Sequence, residues 1–165
     1  MCFEFRPITA FPRGTLYALL CDAYAFDPRW AQHYAQDWQS FDDFFFEHPS
    51  IAASCGFITV LDGAPIGLMS WDPRALPAYV QLGHNGISSA CKGRGYGTRQ
   101  LLEAIRRIRL RRPQEIRVTT NVGLFPAPRM YERVGFQLAQ RRAPAEGDAF
   151  AGDLLDYVLI SPPEK

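Results

Sequence analysis

Residues 88–112 read SSACKGRGYGTRQLLEAIRRIRLRR, a glycine-rich run that leads directly into a helical pattern. Three glycines occupy every second position and two cations flank them: Gly93, Gly95, Gly97, Lys92 and Arg94. The first N–H groups of a helix lack intrahelical partners and carry the positive end of the helix dipole. Glycines let that backbone approach a phosphate, so the run predicts an anion-binding turn. The alternative is a tight connection whose glycines only supply positive φ.

Two familiar nucleotide-binding patterns do not fit this run. A P-loop needs Gly-Lys followed by Ser or Thr, whereas Lys92 precedes the glycines. A dinucleotide fingerprint needs G-x-G-x-x-G, and the last gap of G-R-G-Y-G is one residue short. The phosphate ligand therefore belongs to another class.

Composition describes an ordinary globular chain. Its 165 residues fit a single domain, residues 1–165, and a net charge of +1 predicts no nucleic-acid or membrane partner. No apolar run approaches a membrane span and no signal-peptide pattern opens the chain, so a cytoplasmic location is expected. The four cysteines lack the short paired spacing of a zinc or redox site, so no metal is expected.

Periodicity and turn residues predict an interspersed α/β order. A first strand (1–9) precedes helices that begin at Pro12 and Pro28, and Pro49 ends the second helix. The remaining elements are strands 55–61, 65–71 and 78–88, a helix 98–112, a strand 115–122, a short helix 126–134, and strands 136–142 and 155–161. The long helix has a predicted buried stripe of Leu101, Leu102, Ile105 and Ile108. This order implies a mixed sheet covered by helices.

Two motifs in this order resemble those of the GNAT acyltransferase superfamily. Lys92-Gly-Arg-Gly-Tyr-Gly97 is similar to its motif A, with Lys where Arg or Gln is usual. Downstream, APRMYERVGF (127–136) resembles its A-x-x-hydrophobic-Tyr-x-x-x-Gly-Phe signature. The resemblance implies a GNAT-like fold, with a central, mostly antiparallel mixed sheet flanked by helices.

The resemblance also implies a site for acetyl-CoA. Its pyrophosphate would lie on the turn formed by Lys92, Gly93, Arg94, Gly95, Tyr96, Gly97 and Thr98. Its pantetheine would follow the fourth strand near Ile87 and Ser89, with the Ile87 N–H as oxyanion donor. The family asparagine corresponds to Asn121, which stands six residues before Ala127 rather than three, so residues 123–126 look like an insertion.

Two residues are candidates for proton transfer. The position of Tyr131 in the signature implies a general acid on the CoA sulfur; packing under the sheet is the alternative. The strand AYVQLGHNGISS carries no carboxylate, and His84 is the titratable group closest to the expected thioester. Its ordinary pKa suits a general base. A histidine held only by hydrogen bonds is the alternative.

Aromatic residues dominate the segment that forms the acceptor cleft in this family. Trp30, Tyr34, Phe45 and Trp71 are the candidate acceptor contacts, and neighbouring carboxylates would suit a cationic amine. Three consecutive phenylalanines, residues 44–46, cannot all face one core. An aromatic helix–sheet core is the competing explanation.

The sequence thus predicts an acetyl-CoA-dependent N-acetyltransferase that acts directly on a primary amine of a small molecule or peptide. The alternatives are an acyl-CoA-binding protein of the same fold without catalysis and an enzyme that uses a longer acyl group. The arginines of residues 106–112 are expected to form a solvated surface. A homodimer is possible.

Overall fold

The computed structural model describes residues 1–148 and 150–162. Its helices and strands are β1 (Phe3–Arg6), α1 (Thr15–Ala23), α2 (Pro28–Glu47), α3 (Pro49–Cys55), β2 (Gly56–Leu61), β3 (Ala64–Asp72), β4 (Tyr79–Ile87), α4 (Tyr96–Arg109), β5 (Glu115–Asn121), α5 (Ala127–Val134), β6 (Gln137–Arg142) and β7 (Leu154–Ile160). The seven strands follow the order β1-β2-β3-β4-β5-β7-β6. The β1–β2, β2–β3, β5–β7 and β6–β7 pairs are antiparallel, and β4–β5 is parallel. The predicted mixed, mostly antiparallel sheet with helices is confirmed.

The chain divides into two compact units. One comprises Met1–Ser70 and His84–Leu101, and the other comprises Trp71–Gly83 and Leu102–Lys165. The expectation of a single domain over residues 1–165 stays a prediction.

In the first unit, helices α1 and α2 are joined by a buried carboxylate. Asp42 of α2 is fully buried and accepts hydrogen bonds from the N–H groups of Gly14 (2.8 Å) and Tyr17 (3.1 Å). These donors lie at the N-terminus of α1, where backbone N–H groups lack intrahelical partners. Gly14 has φ 95°, a conformation that glycine adopts readily. Helix α1 therefore begins at Thr15 rather than at Pro12 as predicted.

The segment before β2 differs from the prediction. Pro49 does end α2, but it also begins α3, which runs to Cys55. Proline is favoured at the first position of a helix because the missing N–H would have no partner there. The helix α3 is absent from the prediction, and the predicted strand 55–61 begins one residue later, at Gly56, because Cys55 ends α3.

Helix α4 begins two residues earlier and ends three residues earlier than predicted. Leu101, Ile105 and Ile108 are buried, but Leu102 is 51% exposed and Ala104 is fully buried in its place. A helix of 3.6 residues per turn brings positions 101, 104, 105 and 108 to one face and turns position 102 away.

In the second unit, β5 is the central strand. It pairs with β7 over seven residue pairs and with β4 over three pairs that begin at Tyr79↔Glu115. Strand β6 pairs with β7 at the edge, and all six of its residues are exposed. Its side chains Arg141 and Arg142 contact Asp153 and Asp156.

Within the described residues, no helix combines the length and the apolar character that crossing a membrane requires.

Candidate active site

The glycine-rich run forms an open turn at the start of α4. Gly93 and Gly95 have φ values of 76° and 81°, and a Cβ at either position would meet no atom within 4 Å. The glycines are therefore required by backbone conformation, and space lies beside them. The first helical hydrogen bond runs from the Arg99 N–H to the Gly95 carbonyl oxygen (3.2 Å). The N–H groups of residues 96–98 precede it, which is the arrangement that binds anions.

Tyr96 supports this turn through its side chain. Its ring is 7% exposed and stacks on Phe3 of β1 at 5.3 Å. The Arg99 guanidinium also lies over Phe3, at 3.6 Å from its ring centroid. Tyr96 therefore offers a ligand its backbone N–H, while its ring anchors α4 on β1.

Gln100 is a supporting residue that the sequence reasoning missed. It is fully buried and accepts a hydrogen bond from the Thr59 hydroxyl at 2.6 Å. Its Nε2 donates to the Leu68 carbonyl (2.8 Å), the Asn85 Oδ1 (2.7 Å) and the Gly86 carbonyl (3.3 Å). One side chain thereby joins the first turn of α4 to β2, β3 and β4.

A signal for Gln100 was present in the sequence. The residue lies four and eight positions before Ala104 and Ile108, so it belongs to the buried stripe of α4. A polar residue in such a stripe must find buried partners, because an unpaired buried amide is costly. Close packing around Gln100 also explains why residue 67 is glycine: a Cβ at that position would come within 2.6 Å of Gln100 Oε1.

Ser89 and Lys92 contact the C-terminal end of α1. The Ser89 N–H donates to Asp22 Oδ2 (3.0 Å), and its hydroxyl donates to the Asp22 carbonyl (2.5 Å). The Lys92 ammonium donates to the carbonyl of Ala23, the last residue of α1. Burial lowers the pKa of Lys92, and the Asp22 carboxylate opposes that change.

Arg94 differs from Lys92 in its surroundings. It is exposed and makes no hydrogen bond, ion pair or ring contact with the part of the chain that the structure describes. It is therefore available to a ligand at the turn.

His84 lies partly buried on β4, beside α2. Its ring centroid is 4.4 Å from that of Phe41, and its backbone N–H donates to the Ser70 hydroxyl at 3.0 Å. Burial lowers the pKa of His84 to about 4, and the charge of Asp37 on α2 opposes this shift. Its imidazole has no hydrogen-bond partner within residues 1–148 and 150–162. At neutral pH it is uncharged and able to accept a proton.

An aromatic cluster joins α2 to the end of α1. The ring of Tyr24 lies 5.2 Å from each of the Trp30 and Trp38 rings, and Tyr34 stacks on Trp30 at 5.7 Å. Trp30 and Tyr34 are half-buried, whereas Trp38 is 2% exposed. Two predicted acceptor contacts, Trp30 and Tyr34, are thus neighbours on one face of α2.

The other two predicted acceptor contacts lie elsewhere. Phe45 is 6% exposed and packs against Phe41 at 4.7 Å, while its neighbour Phe44 is 44% exposed. The three phenylalanines therefore do face different directions. Trp71 is 7% exposed and belongs to the second unit.

In the second unit, Tyr131 of α5 is 4% exposed. Its ring packs near Phe136 (5.6 Å) and Tyr157 (6.1 Å). The Tyr157 hydroxyl donates to Glu132 Oε1 at 2.7 Å. Burial, together with this hydrogen bond, raises the pKa of Tyr157 to about 12.

Asn121 holds the loop after β5. Its Oδ1 accepts from the Gly123 N–H (2.8 Å), and its Nδ2 donates to the Gly152 carbonyl (3.3 Å). A Cβ on Gly152 would come within 3.3 Å of the Asn121 Oδ1. The side chain therefore stabilises the first residues of the predicted insertion.

The sequence of this region matches a family model. The model of the acetyltransferase (GNAT) family matches residues 15–136, which include the turn, α4, β5 and α5. The chain belongs to the GNAT acetyltransferase family. It is thereby an acyltransferase, and the predicted family is confirmed. Curated proteins yield no match to the sequence.

Solved structures of GNAT proteins share the fold. An N-acetyltransferase from Staphylococcus aureus Mu50 has a TM-score of 0.77 at 14% identity, covering 97% of this chain and 99% of that one. The ribosomal-protein-S18-alanine N-acetyltransferase from Escherichia coli has a TM-score of 0.72 at 16% identity, covering 99% and 97%. A GNAT acetyltransferase from Elizabethkingia anophelis with acetyl-CoA bound has a TM-score of 0.71 at 14% identity, covering 96% and 98%.

In this GNAT chain, the first unit contains the turn, Gln100 with its buried hydrogen bonds, His84 and the aromatic cluster. The second unit holds Tyr131, Asn121 and Trp71. Over residues 1–148 and 150–162, no three His, Cys, Asp or Glu side chains come together as metal ligands would.

Proposed function

We propose that this GNAT protein is an acetyl-CoA-dependent N-acetyltransferase that transfers the acetyl group directly to a primary amine of a small molecule or peptide. The observation that carries the proposal is the open turn at the start of α4. There, positive φ at Gly93 and Gly95 and unobstructed space beside both glycines precede unpaired helix N–H groups. The acetyl-CoA bound to the Elizabethkingia anophelis protein of the same fold supports the choice of ligand.

The turn would hold the pyrophosphate through backbone and charge. The N–H groups of Tyr96, Gly97 and Thr98 offer hydrogen bonds, and the exposed Arg94 offers a cation. Ile87, at the end of β4, would meet the pantetheine through its backbone. Bound acetyl-CoA supplies the thioester whose carbonyl carbon accepts the amine.

His84 is the proposed general base. As the amine nitrogen bonds to the acyl carbon, its proton becomes acidic, and the neutral imidazole takes it. Phe41 covers one side of the ring, and the imidazole is uncharged at neutral pH, where its lowered pKa makes it a weaker base than an ordinary histidine. The lack of a competing hydrogen bond within the described residues leaves the ring nitrogens to the reaction.

Tyr131 is the proposed general acid, on the strength of its place in the APRMYERVGF signature. Its phenol would give a proton to the departing CoA sulfur. Its ring is fixed by packing against Phe136 and Tyr157, which favours a single orientation of the hydroxyl.

The acceptor would enter beside α2. Trp30 and Tyr34 present partly exposed aromatic rings, and the exposed carboxylate of Asp37 lies on the same helix. Aromatic faces and a carboxylate both attract an ammonium group. The name of the Escherichia coli protein, which acts on an alanine of a ribosomal protein, supports a peptide amine as one class of acceptor.

The deciding experiment is a panel of primary amines assayed for release of the CoA thiol, with acetyl-CoA and succinyl-CoA as donors. We expect turnover with acetyl-CoA and losses of kcat/KM of about 100-fold or more in His84→Gln and Tyr131→Phe. His48→Gln, which replaces an exposed histidine at the end of α2, is the matched control and should retain activity.

The alternatives predict different results. Acyl-CoA binding without thiol release on any amine would indicate a binding protein without catalysis. Faster turnover with succinyl-CoA would indicate a longer acyl group. Full activity in both His84→Gln and Tyr131→Phe would refute the proposed proton transfers. A cytoplasmic location and a homodimer stay predictions that cell fractionation and light scattering would test.

A further inference from the structure

Three contacts join the C-terminus of α1 to the turn before α4. Ser89 donates twice to Asp22, through its N–H (3.0 Å) and through its hydroxyl (2.5 Å). Lys92 donates to the Ala23 carbonyl, one of the last carbonyls of α1, which have no partner within the helix. We call these residues, Asp22, Ala23, Ser89 and Lys92, the α1 clamp.

The Lys92 ammonium has favourable neighbours in addition to the Ala23 carbonyl. It lies at the negative end of the α1 dipole and 4.7 Å from the ring centroid of Phe26. The Asp22 carboxylate adds a favourable charge, as its effect on the Lys92 pKa indicates. In contrast, Arg94 has no partner in the described part of the chain.

The clamp also reaches the aromatic cluster. Tyr24 follows Ala23 directly, and its ring packs against Trp30 and Trp38 at 5.2 Å each. The ring of Phe26 lies 6.2 Å from that of Tyr24. A cation that fixes the end of α1 therefore fixes the rings that face the proposed acceptor.

We propose that Lys92 is a positioning residue that locks the acceptor-side aromatic cluster to the turn, and that it is not a phosphate ligand. The charge of the pyrophosphate is met by the helix N–H groups and by Arg94. This inference rests on the proposed function, in which the turn binds acetyl-CoA. It reverses the expectation from the motif, where the residue at position 92 would contact the ligand.

The first test compares acetyl-CoA with acetyl-pantetheine, a donor that lacks the pyrophosphate. At a fixed amine concentration below its KM, kcat/KM in Lys92→Met should fall in parallel for both donors, so that the ratio of acetyl-CoA to acetyl-pantetheine stays within about twofold of wild type. In Arg94→Met, the ratio should fall about five- to tenfold because only the phosphate-bearing donor loses a charge-assisted contact. A selective loss of acetyl-CoA in Lys92→Met would overturn the inference.

The acceptor side provides a second readout. Lys92→Met should raise KM for the amine and leave kcat at saturating amine within about twofold of wild type, because the cluster is displaced while the proton-transfer groups are retained. Lys92→Arg should restore KM, since a guanidinium can donate to the Ala23 carbonyl and stack on Phe26. An unchanged amine KM in Lys92→Met would contradict the positioning role.

A double-mutant cycle tests the clamp in the ligand-free protein. The effects of Lys92→Met and Phe26→Leu on the unfolding equilibrium constant should be non-additive by about two- to fivefold. The same cycle with Arg94→Met should be additive. Additive effects of Lys92 and Phe26 would show that Lys92 is not coupled to the aromatic side of the clamp, and would overturn the positioning role. If wild type bound neither donor, the proposed function would fail. The cycle would still show whether Lys92 and Phe26 interact, because it needs no ligand.

Discussion

Acidification from pH 7 to pH 5 should destabilise the protein through His84, and replacing that histidine should remove part of the loss. The pKa of His84 is lowered by burial to about 4, from an ordinary value of 6.5. The unfolded chain therefore takes up a proton as the pH falls through 6.5, whereas the folded chain stays neutral until about pH 4. The unfolded state binds more protons in this window, so the free energy of unfolding falls as the pH falls.

The size of the effect follows from the two pKa values. At about 1.4 kcal/mol per pH unit, the difference reaches about 2 kcal/mol at pH 5 and is close to zero above pH 7. For a chain of this length, that corresponds to a fall of about 4–8 °C in Tm. Carboxylates also titrate in acid, and Glu103, held by Arg106, has a pKa of about 2. Their contribution is common to wild type and variant and cancels in the difference.

The assay is urea denaturation of wild type, His84→Gln and the control His48→Gln at pH 7.5, 6.5, 5.5 and 5.0. We expect wild type and His48→Gln to lose stability in parallel, and His84→Gln to lose about 2 kcal/mol less between pH 7.5 and pH 5.0. A parallel loss in all three proteins would show that the His84 pKa is not lowered.

Two further predictions concern the start of α1 and the glycine turn before α4, both in the first unit, with a control in each case. Asp42→Ala should lower the free energy of unfolding by about 2–3 kcal/mol, because two backbone N–H groups at the start of α1 lose their buried acceptor. The control Asp43→Ala removes an exposed ion pair beside it and should have a smaller effect. Thermal melting of both variants measures the difference. Gly95→Ala and Gly147→Ala should each lose about 1–2 kcal/mol, since both glycines have positive φ and open space at Cβ. Calorimetry should find weaker acetyl-CoA binding only in Gly95→Ala, and equal affinity in both variants would count against the turn as the phosphate site.

The turn and the long helix were predictable because their signals are local. The alternation of glycines at 93–97 and the stripe that contains Leu101 and Ile108 lie within consecutive residues, and Gly93 and Gly95 do adopt the positive φ that glycine allows. Leu102 differs from the prediction because consecutive helix residues point in different directions, so it does not share the buried face of its neighbour Leu101.

The partners of polar side chains were not predictable, because they depend on contacts far apart in sequence. Lys92 meets Ala23 across 69 residues, and Gln100 meets Thr59 across 41. No periodicity within either segment carries that information. Asn121 is an intermediate case: its bond to Gly123 is local and typical of asparagine in a turn, but its bond to Gly152 spans 31 residues.

A phosphate site built from backbone N–H groups depends on side chains that hold the backbone in place without touching the phosphate. Glycines cannot anchor a turn, so the anchoring must come from neighbouring side chains, and here it comes from several elements of the first unit. Tyr96 packs on β1, Gln100 bonds to β2, β3 and β4, and Lys92 bonds to α1. None of these side chains needs to touch the ligand, yet each fixes where the N–H groups point. Substitution of Gln100 by Leu would leave the Thr59 hydroxyl and two backbone carbonyls without their buried partner, and it should therefore weaken acetyl-CoA binding without removing any atom that binds it.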